Sequence, residues 1–255
     1  MNLYEAMYSR KTVRKFNMKP IEVVTMLNFQ RYIKAMLEEQ CCKGCSVEII
    51  DTLTSNKKVK GLFKVVAPYY FIVYCENSIK GFYHAGCLAE MLVLYLTSKG
   101  IGTCYQGELK IEPVKDELGV CPGIAVAFGY SNENIYRESG RAKRLKLNDI
   151  IFLKEEINTE VEAILKGARL APSAFNMQPW RFVVYHNRIH LFLKKDPIII
   201  KKFKQVNAVD IGIVLSHLLL GAEEFWLNAT VTQVDSLSER ELKNYEYIIT
   251  VLLDI

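Results

Sequence analysis

An α+β fold, with antiparallel or mixed sheets covered by helices, is predicted by three observations. Helical and strand patterns are mixed along the chain, without the strict strand–helix–strand alternation of a parallel nucleotide-binding sheet. The order of these elements occurs twice. The single Gly-x-Gly, Gly100-Ile101-Gly102, follows a helix rather than a strand and lacks the third glycine, so the dinucleotide fingerprint is absent.

The chain opens with a helix over residues 3–8 that ends in a basic knot. A second helix covers 21–39, with Pro20 at its start, where a fixed φ suits a first turn. Residues 46–50 and 69–75 read as short strands, and 83–98 as a long apolar helix ended by Lys99-Gly100. A strand over 122–128 leads into Gly129-Tyr130, and residues 137–146 form a connector carrying five cations. The second half repeats the order: a helix over 159–170, strands over 181–185 and 188–193, a long apolar helix over 209–226, and a closing strand over 246–253. Laying Gly86 on Gly212, a shift of 126 residues, brings 85–98 over 211–224 and 124–128 near the closing strand. A shared helical period alone produces such a match. The parallel order of elements favours a duplication, with one half in residues 1–148 and the other in 149–255.

At 255 residues the chain is long enough for a large core, and its composition, 50% hydrophobic and 24% charged, is that of a globular protein. The net charge of +5 suits an anionic small molecule as well as nucleic acid. Aromatic and basic residues are not interleaved in a tract, so no nucleic-acid partner is expected. Residues 1–14 lack the apolar core of a signal peptide, and the apolar runs at 91–96 and 211–220 are too short to span a bilayer. A cytoplasmic protein without a membrane partner is expected.

All seven cysteines, Cys41, Cys42, Cys45, Cys75, Cys87, Cys104 and Cys121, lie in the first half, and their odd number argues against a secreted disulfide scaffold. Cys42-Lys43-Gly44-Cys45 has C-x-x-C spacing, but no second ligand pair follows it as zinc requires, and it follows a helix rather than a strand. It reads as structural, with a redox or metal role left open. His84, His186, His190 and His217 have no triad-like spacing and read as structural.

Two motifs carry chemistry. Ser9-Arg10-Lys11-Thr12-Val13-Arg14-Lys15-Phe16 places four cations and two hydroxyls in eight residues. In an extended backbone Arg10, Thr12 and Arg14 point to one side, an arrangement suited to a phosphate; a solvated helix end is the plainer alternative. Arg141-Ala142-Lys143-Arg144 either adds cations to the same dianion or is a solvated linker. The second motif, Ala171-Pro172-Ser173-Ala174-Phe175-Asn176-Met177-Gln178-Pro179-Trp180, lies between a helix and a strand, broken by proline at each end. Its serine, asparagine and glutamine are groups that hydrogen-bond a flat heterocycle.

With these motifs, Gly100-Ile101-Gly102-Thr103-Cys104-Tyr105-Gln106-Gly107 and Ala127-Phe128-Gly129-Tyr130, the sequence resembles the FMN-dependent nitroreductase superfamily, specifically members with two family halves fused in one chain. The resemblance implies a nitroreductase-like fold built as a pseudo-dimer by internal duplication, with FMN between the halves. Arg10, Lys11, Thr12 and Arg14 would hold the ribityl phosphate, assisted by Lys143 and Arg144. Pro172, Ser173, Ala174, Phe175 and Asn176 would lie against the ring and ribityl chain, and the loop Tyr105-Gln106-Gly107 would approach flavin N5 through its backbone. Asn56, Lys57 and Lys60 are weak matches to a further phosphate-side loop. The first half lacks the Pro-Ser-x-x-Asn segment and the second lacks the basic knot, so the chain has complementary parts for one flavin site.

The implied activity is hydride transfer from NAD(P)H through the flavin to a small aromatic acceptor such as a nitroaromatic or quinone, with no catalytic side chain and no metal. Fused halves make a monomer plausible, with a homodimer as the alternative. Other roles for the same fold are flavin storage, dehalogenation or ring modification. A cofactor-less structural or binding module is the rival from a different class.

Overall fold

The computed structural model describes residues 1–55, 57–61, 64–107, 110–112, 119–195, 199–238 and 244–255. Its elements run α1 (Leu3–Ser9), α2 (Val23–Leu37), β1 (Ser46–Asp51), β2 (Lys58–Lys60), β3 (Tyr69–Glu76), α3 (Ile79–Ser98), β4 (Gly102–Gln106), β5 (Lys110–Glu112) and β6 (Val120–Gly129). They continue with α4 (Leu147–Ile150), β7 (Ile151–Leu153), α5 (Thr159–Arg169), β8 (Trp180–Tyr185), β9 (Arg188–Lys194), α6 (Ile199–Glu224), β10 (Ala229–Thr232), α7 (Asp235–Ser238) and β11 (Tyr245–Leu253).

Local chemistry explains the helix ends. Asn2 and Glu5 form a reciprocal capping box on α1, and Ser78 caps α3 by accepting from Gly81 N–H at 3.0 Å. That cap starts α3 at Ile79, a turn earlier than its apolar run indicates. On α5, Asn158 caps Val161 N–H, Glu160 and Glu162 sit in the first turn, and Lys166 and Arg169 in the last, each matching the helix dipole. Val161, Ile164, Leu165 and Ala168 make its buried stripe.

Two antiparallel sheets share one strand order. The first runs β1-β3-β6-β4, and the second β8-β9-β11-β10 with β7 added in parallel beside β8. β2 and β5 form a separate small ribbon. One continuous core joins the two sheets, from Phe71 and Phe128 on the first to Trp180, Phe182 and Leu191 on the second.

Between the sheets α3 and α6 make the most extensive contact of any two elements. A Cβ at Gly86 would lie 2.1 Å from Val209 O, and a Cβ at Gly212 would lie 2.0 Å from Tyr83 O. The 126-residue shift that takes Gly86 to Gly212 also takes Tyr83 to Val209, so the two contacts are reciprocal, as in a two-fold interface. Only glycine allows backbones this close.

Three sequence expectations change. Tyr105 and Gln106 lie on β4, not in a loop: β4 pairs with β6 on one side and is bridged by Thr12 on the other. Strands β2, β5, β7 and β10, at three or four residues, are too short to carry a periodic signal. Helix α6 begins at Ile199 rather than near 209, so Lys204–Glu224 is long and apolar enough to cross a membrane by length and composition. That stretch is 83% buried inside the protein, as befits a core helix.

Candidate functional site

After α1 the chain turns at Arg10 into an extended path. Thr12 bridges Thr103 in parallel, Val13 N–H donates to Thr103 O at 2.9 Å, and Arg10 bridges Tyr136 on the other side. Arg137 N–H adds a bond to Ser9 O at 2.7 Å. The knot is thus held between the edge of the first sheet and the connector. Arg10 is buried at 3% exposure, Lys11 and Thr12 are half-buried, and Arg14 is exposed. Arg14 and Arg10 both lie close enough to Cys104 to offset part of the rise that burial imposes on its thiol.

Around Arg10, three guanidiniums lie within electrostatic reach of one carboxylate. Arg10 Nε lies 4.0 Å from Glu90 Oε1, and Glu90, on α3, is fully buried. Tyr105 O–H donates to Glu90 Oε2 at 2.5 Å, and His217 Nε2, from α6, lies 2.9 Å from Oε1. His217 Nδ1 faces Gly167 O at 3.0 Å, and since a carbonyl only accepts, Nδ1 must donate. One proton therefore lies between Nε2 and Oε1. Burial alone would raise the Glu90 carboxyl; His217, Arg10 and Tyr105 together outweigh it and hold the group below its ordinary value. Burial, and then the charge of Glu90, keep Tyr105 protonated.

Arg137 and Arg144 complete the cation group. Burial, then Arg10, pulls the Arg137 guanidinium down to about 10; burial, then Arg137 and Arg10, does the same to Arg144. Arg10 Nη1, Arg137 Nε and Nη2, and Thr103 Oγ1 are buried without a hydrogen-bond partner. Buried donors of this kind are costly unless something accepts from them. Surplus positive charge and unpartnered donors fit a dianionic phosphate, and this is the test by which the FMN implied by the sequence suits the site.

Arg144 is committed elsewhere. Its Nε donates to Ala171 O at 3.0 Å, Nη2 to Leu170 O at 3.1 Å, and Nη1 to Lys143 O at 3.0 Å and Asn176 Oδ1 at 2.8 Å. It clamps the connector to the 171–176 segment, while Lys143 is exposed and offers its carbonyl to Asn176 Nδ2 at 3.0 Å.

That segment is knitted by its own polar groups. Ser173 Oγ accepts from Gln178 N–H at 2.9 Å, Gln178 Oε1 accepts from Leu145 N–H at 2.8 Å, and Gln178 Nε2 donates to Asn176 O at 3.1 Å. Ala174 N–H donates to both oxygens of the buried Asp210, at 3.0 and 3.2 Å. These bonds hold Phe175, Asn176 and Gln178 at φ of 52°, 57° and 49°, left-handed values rare outside glycine. Pro172 is buried, Ala174 half-buried, and the Phe175 ring 80% exposed. Burial pushes the Asp210 carboxyl up to about 7, against the hydrogen bond from Ala174.

Gln106, at the end of β4, is buried with its amide bound to Val65 N–H at 2.9 Å and Cys104 O at 3.0 Å; Gly107 is exposed beyond it. Lys57 pairs with Glu48, Lys60 lies on β2, and Asn56 is outside the described residues. Sequence reasoning missed Glu90, Arg137 and Asp210 and took His217 as one more structural histidine. The available signal was a lone Glu, Asp or His inside an apolar helix, since such residues are rarely buried without partners.

The fold and site together define a nitroreductase-like α+β protein. A family model described as "Putative TM nitroreductase" matches residues 2–222, and the chain belongs to that family. A structure of a putative nitroreductase from Thermotoga maritima is 22% identical, with 99% of this chain and 94% of that chain covered at a TM-score of 0.67. A putative NADH dehydrogenase/NAD(P)H nitroreductase from Bacteroides thetaiotaomicron is 13% identical, covering 59% of this chain and 96% of its own at 0.45. An FMN-dependent nitroreductase from Clostridium difficile is 13% identical, covering 58% and 96% at 0.42. No curated protein matches the chain significantly.

Proposed function

We propose that this protein is an FMN-dependent oxidoreductase that takes hydride from NAD(P)H and delivers it to a small aromatic acceptor such as a nitroaromatic or quinone. The observation that carries the reading is the set of buried, unpartnered donors on Arg10 and Arg137. Arg144 clamps the opposite half's 171–176 segment and lies close enough to both arginines to feel their charge. FMN, when bound, supplies the redox chemistry. Arg10 and Arg137 hold its phosphate, with Thr12, Thr103, Lys11, Arg14 and Lys143 adding hydroxyls and charge nearby. Glu90 fixes the orientation of Arg10, and Arg144 positions the 171–176 segment. That segment presents a rigid backbone edge and the exposed Phe175 ring, while Tyr105 and Gln106 on β4 and Gly107 just beyond it border the site.

The parts come from two halves, which we read as a duplicated unit divided between residues 148 and 149, with one FMN per chain, acting as a monomer in the cytoplasm. Reconstitution with excess FMN, followed by extraction and quantification, tests this directly: about one flavin per chain is expected. A colourless protein would overturn the flavin reading, and a ratio near two would overturn the single shared site. Stopped-flow reduction by NADH or NADPH then tests the hydride step; a flavoprotein that neither reduces would be a storage or ring-modifying relative instead.

A further inference from the structure

Three of the seven cysteines come together in the first half of the chain. The short 3-10 turn Gln40–Cys42 places Cys41 and Cys42 against Cys87 of α3, with the three Sγ atoms all within 4.8 Å of one another. Cys41 Sγ and Cys42 Sγ are 3.7 Å apart. Zinc bonded to sulfur at about 2.3 Å in a tetrahedron sets thiolates about 3.8 Å apart. Cys42 and Cys87 are fully buried, and the half-buried Cys41 leaves a way in.

A fourth ligand has to come from outside this three-sulfur group, and His84 is the residue placed to swing toward it. His84 lies three residues before Cys87 on α3, so both share one helix face. Its Nδ1 is 2.7 Å from the carbonyl of Lys43, which accepts only, so Nδ1 carries a proton and Nε2 is the nitrogen a metal would take. A metal-bound histidine characteristically donates its other ring N–H to a backbone carbonyl in this way. The carbonyl is presented by a tight turn, Cys45 N–H to Cys42 O at 3.2 Å, which needs the positive φ of 74° at Gly44. The sequence pattern Cys41-Cys42 … His84-x-x-Cys87 thus supplies the second ligand pair that the C-x-x-C motif lacked, with Cys41 in place of Cys45.

We propose that Cys41, Cys42, Cys87 and His84 form a closed zinc site of the three-thiolate, one-imidazole type, tying the turn after α2 to α3. Binding forms three Zn–S bonds and one Zn–N bond; each thiol that enters protonated releases its proton, and no electrons are transferred.

Cobalt(II) is the probe, added anaerobically to the reduced full chain and then displaced by zinc. One cobalt per chain is expected, with the strong ligand-field absorption of a tetrahedral site and sulfur-to-cobalt charge transfer. Cys41→Ser should weaken binding at least about 100-fold, since loss of even outer-shell support costs 10–100-fold. His84→Ala should shift the ligand-field bands, and Cys104→Ser, on β4, should change nothing. Because Cys87 is fully buried and its variant is prone to misfold, Cys41→Ser carries the test, with circular dichroism to check its fold. An octahedral cobalt spectrum, or wild-type affinity in a folded Cys41→Ser protein, would overturn the site. Loss of the spectrum in Cys45→Ser but not in His84→Ala would overturn His84 as the fourth ligand.

Discussion

The basic knot at residues 9–16 and the segment at 171–180 are both rich in polar side chains, yet they use them in opposite ways. In the first, a sheet edge and a connector fix the backbone, and Arg10 goes inside with a donor unpartnered. In the second, the side chains of Ser173, Asn176 and Gln178 bond to the protein itself and hold a left-handed backbone. The difference teaches that polar composition does not separate a group that binds a ligand from one that shapes the wall beside it. What separates them is whether the donors are already satisfied.

The largest test of this contrast removes the carboxylate beneath the knot. Glu90→Leu leaves Arg10 and His217 facing an uncompensated buried site, and losing one partner of such a pair typically costs about 3–5 kcal/mol. Urea unfolding should show a loss of that order, and Glu90→Gln a smaller one. A Leu variant as stable as the wild type would mean that the arginines need no counter-charge.

The next test addresses the segment's anchor. Asp210 sits at about 7 in the native protein, above its ordinary 3.8. The native state therefore holds an extra proton between these values: the contribution of this group to stability is fully present below about pH 4, is lost as pH rises to 7, and is level above. The full shift corresponds to about 4 kcal/mol as an upper bound. Asp210→Asn keeps an oxygen for Ala174 N–H and removes the ionisation, so it should flatten that slope and be the more stable protein at pH 8. Unchanged urea midpoints at pH 5 and 8 in both proteins would contradict the burial of this carboxyl.

Ligand selectivity separates the two regions more finely. Arg137→Ala and Arg10→Ala should each weaken FMN roughly ten- to hundred-fold, the equivalent of a charge-assisted bond of about 1.5–3 kcal/mol. Riboflavin, which has no phosphate, should bind almost as before. Arg137→Ala is the cleaner variant, because Arg10 also faces Glu90. Equal weakening of both ligands, read by fluorescence titration, would assign these arginines to the fold. The smallest effect is expected at Phe175, where a left-handed backbone and an exposed ring coincide. Phe175→Gly relieves the left-handed backbone, a gain in urea-unfolding stability of up to about 1 kcal/mol; a clear loss would show that the contacts of the ring outweigh that relief.

Much of the scaffold was legible because it is periodic. The buried stripe of α5, the apolar length of α3 and the paired runs of β8 and β9 declare themselves within a dozen residues. β4 did not, because Gly-Thr-Cys-Tyr-Gln becomes a strand only through its neighbours, β6 and Thr12. The site divided along the same line. Arg10 and the 171–180 segment were visible as motifs, but the Glu90–His217 pair joins residues 127 apart, and nothing local marks such a pairing. Arg137 was hidden among the connector's other cations, and only its buried, unpartnered donors distinguish it. The cysteines illustrate the limit most plainly: C-x-x-C spacing pointed to Cys45, whereas folding gathers Cys41 with Cys42 and Cys87.

The reciprocal glycine contact between α3 and α6 bears on how the protein responds to dilution. Where two separate subunits meet through such a crossing, their association depends on concentration, and folding and assembly cannot be told apart. Here both helices belong to one polypeptide, and the linked partner acts at an effective concentration of the order of millimolar, however few molecules are present. The two sheets therefore stay together at concentrations where an unlinked pair would part. A substitution at Gly86 would also act once per molecule, without a symmetric copy at Gly212, leaving each side of the crossing open to change on its own.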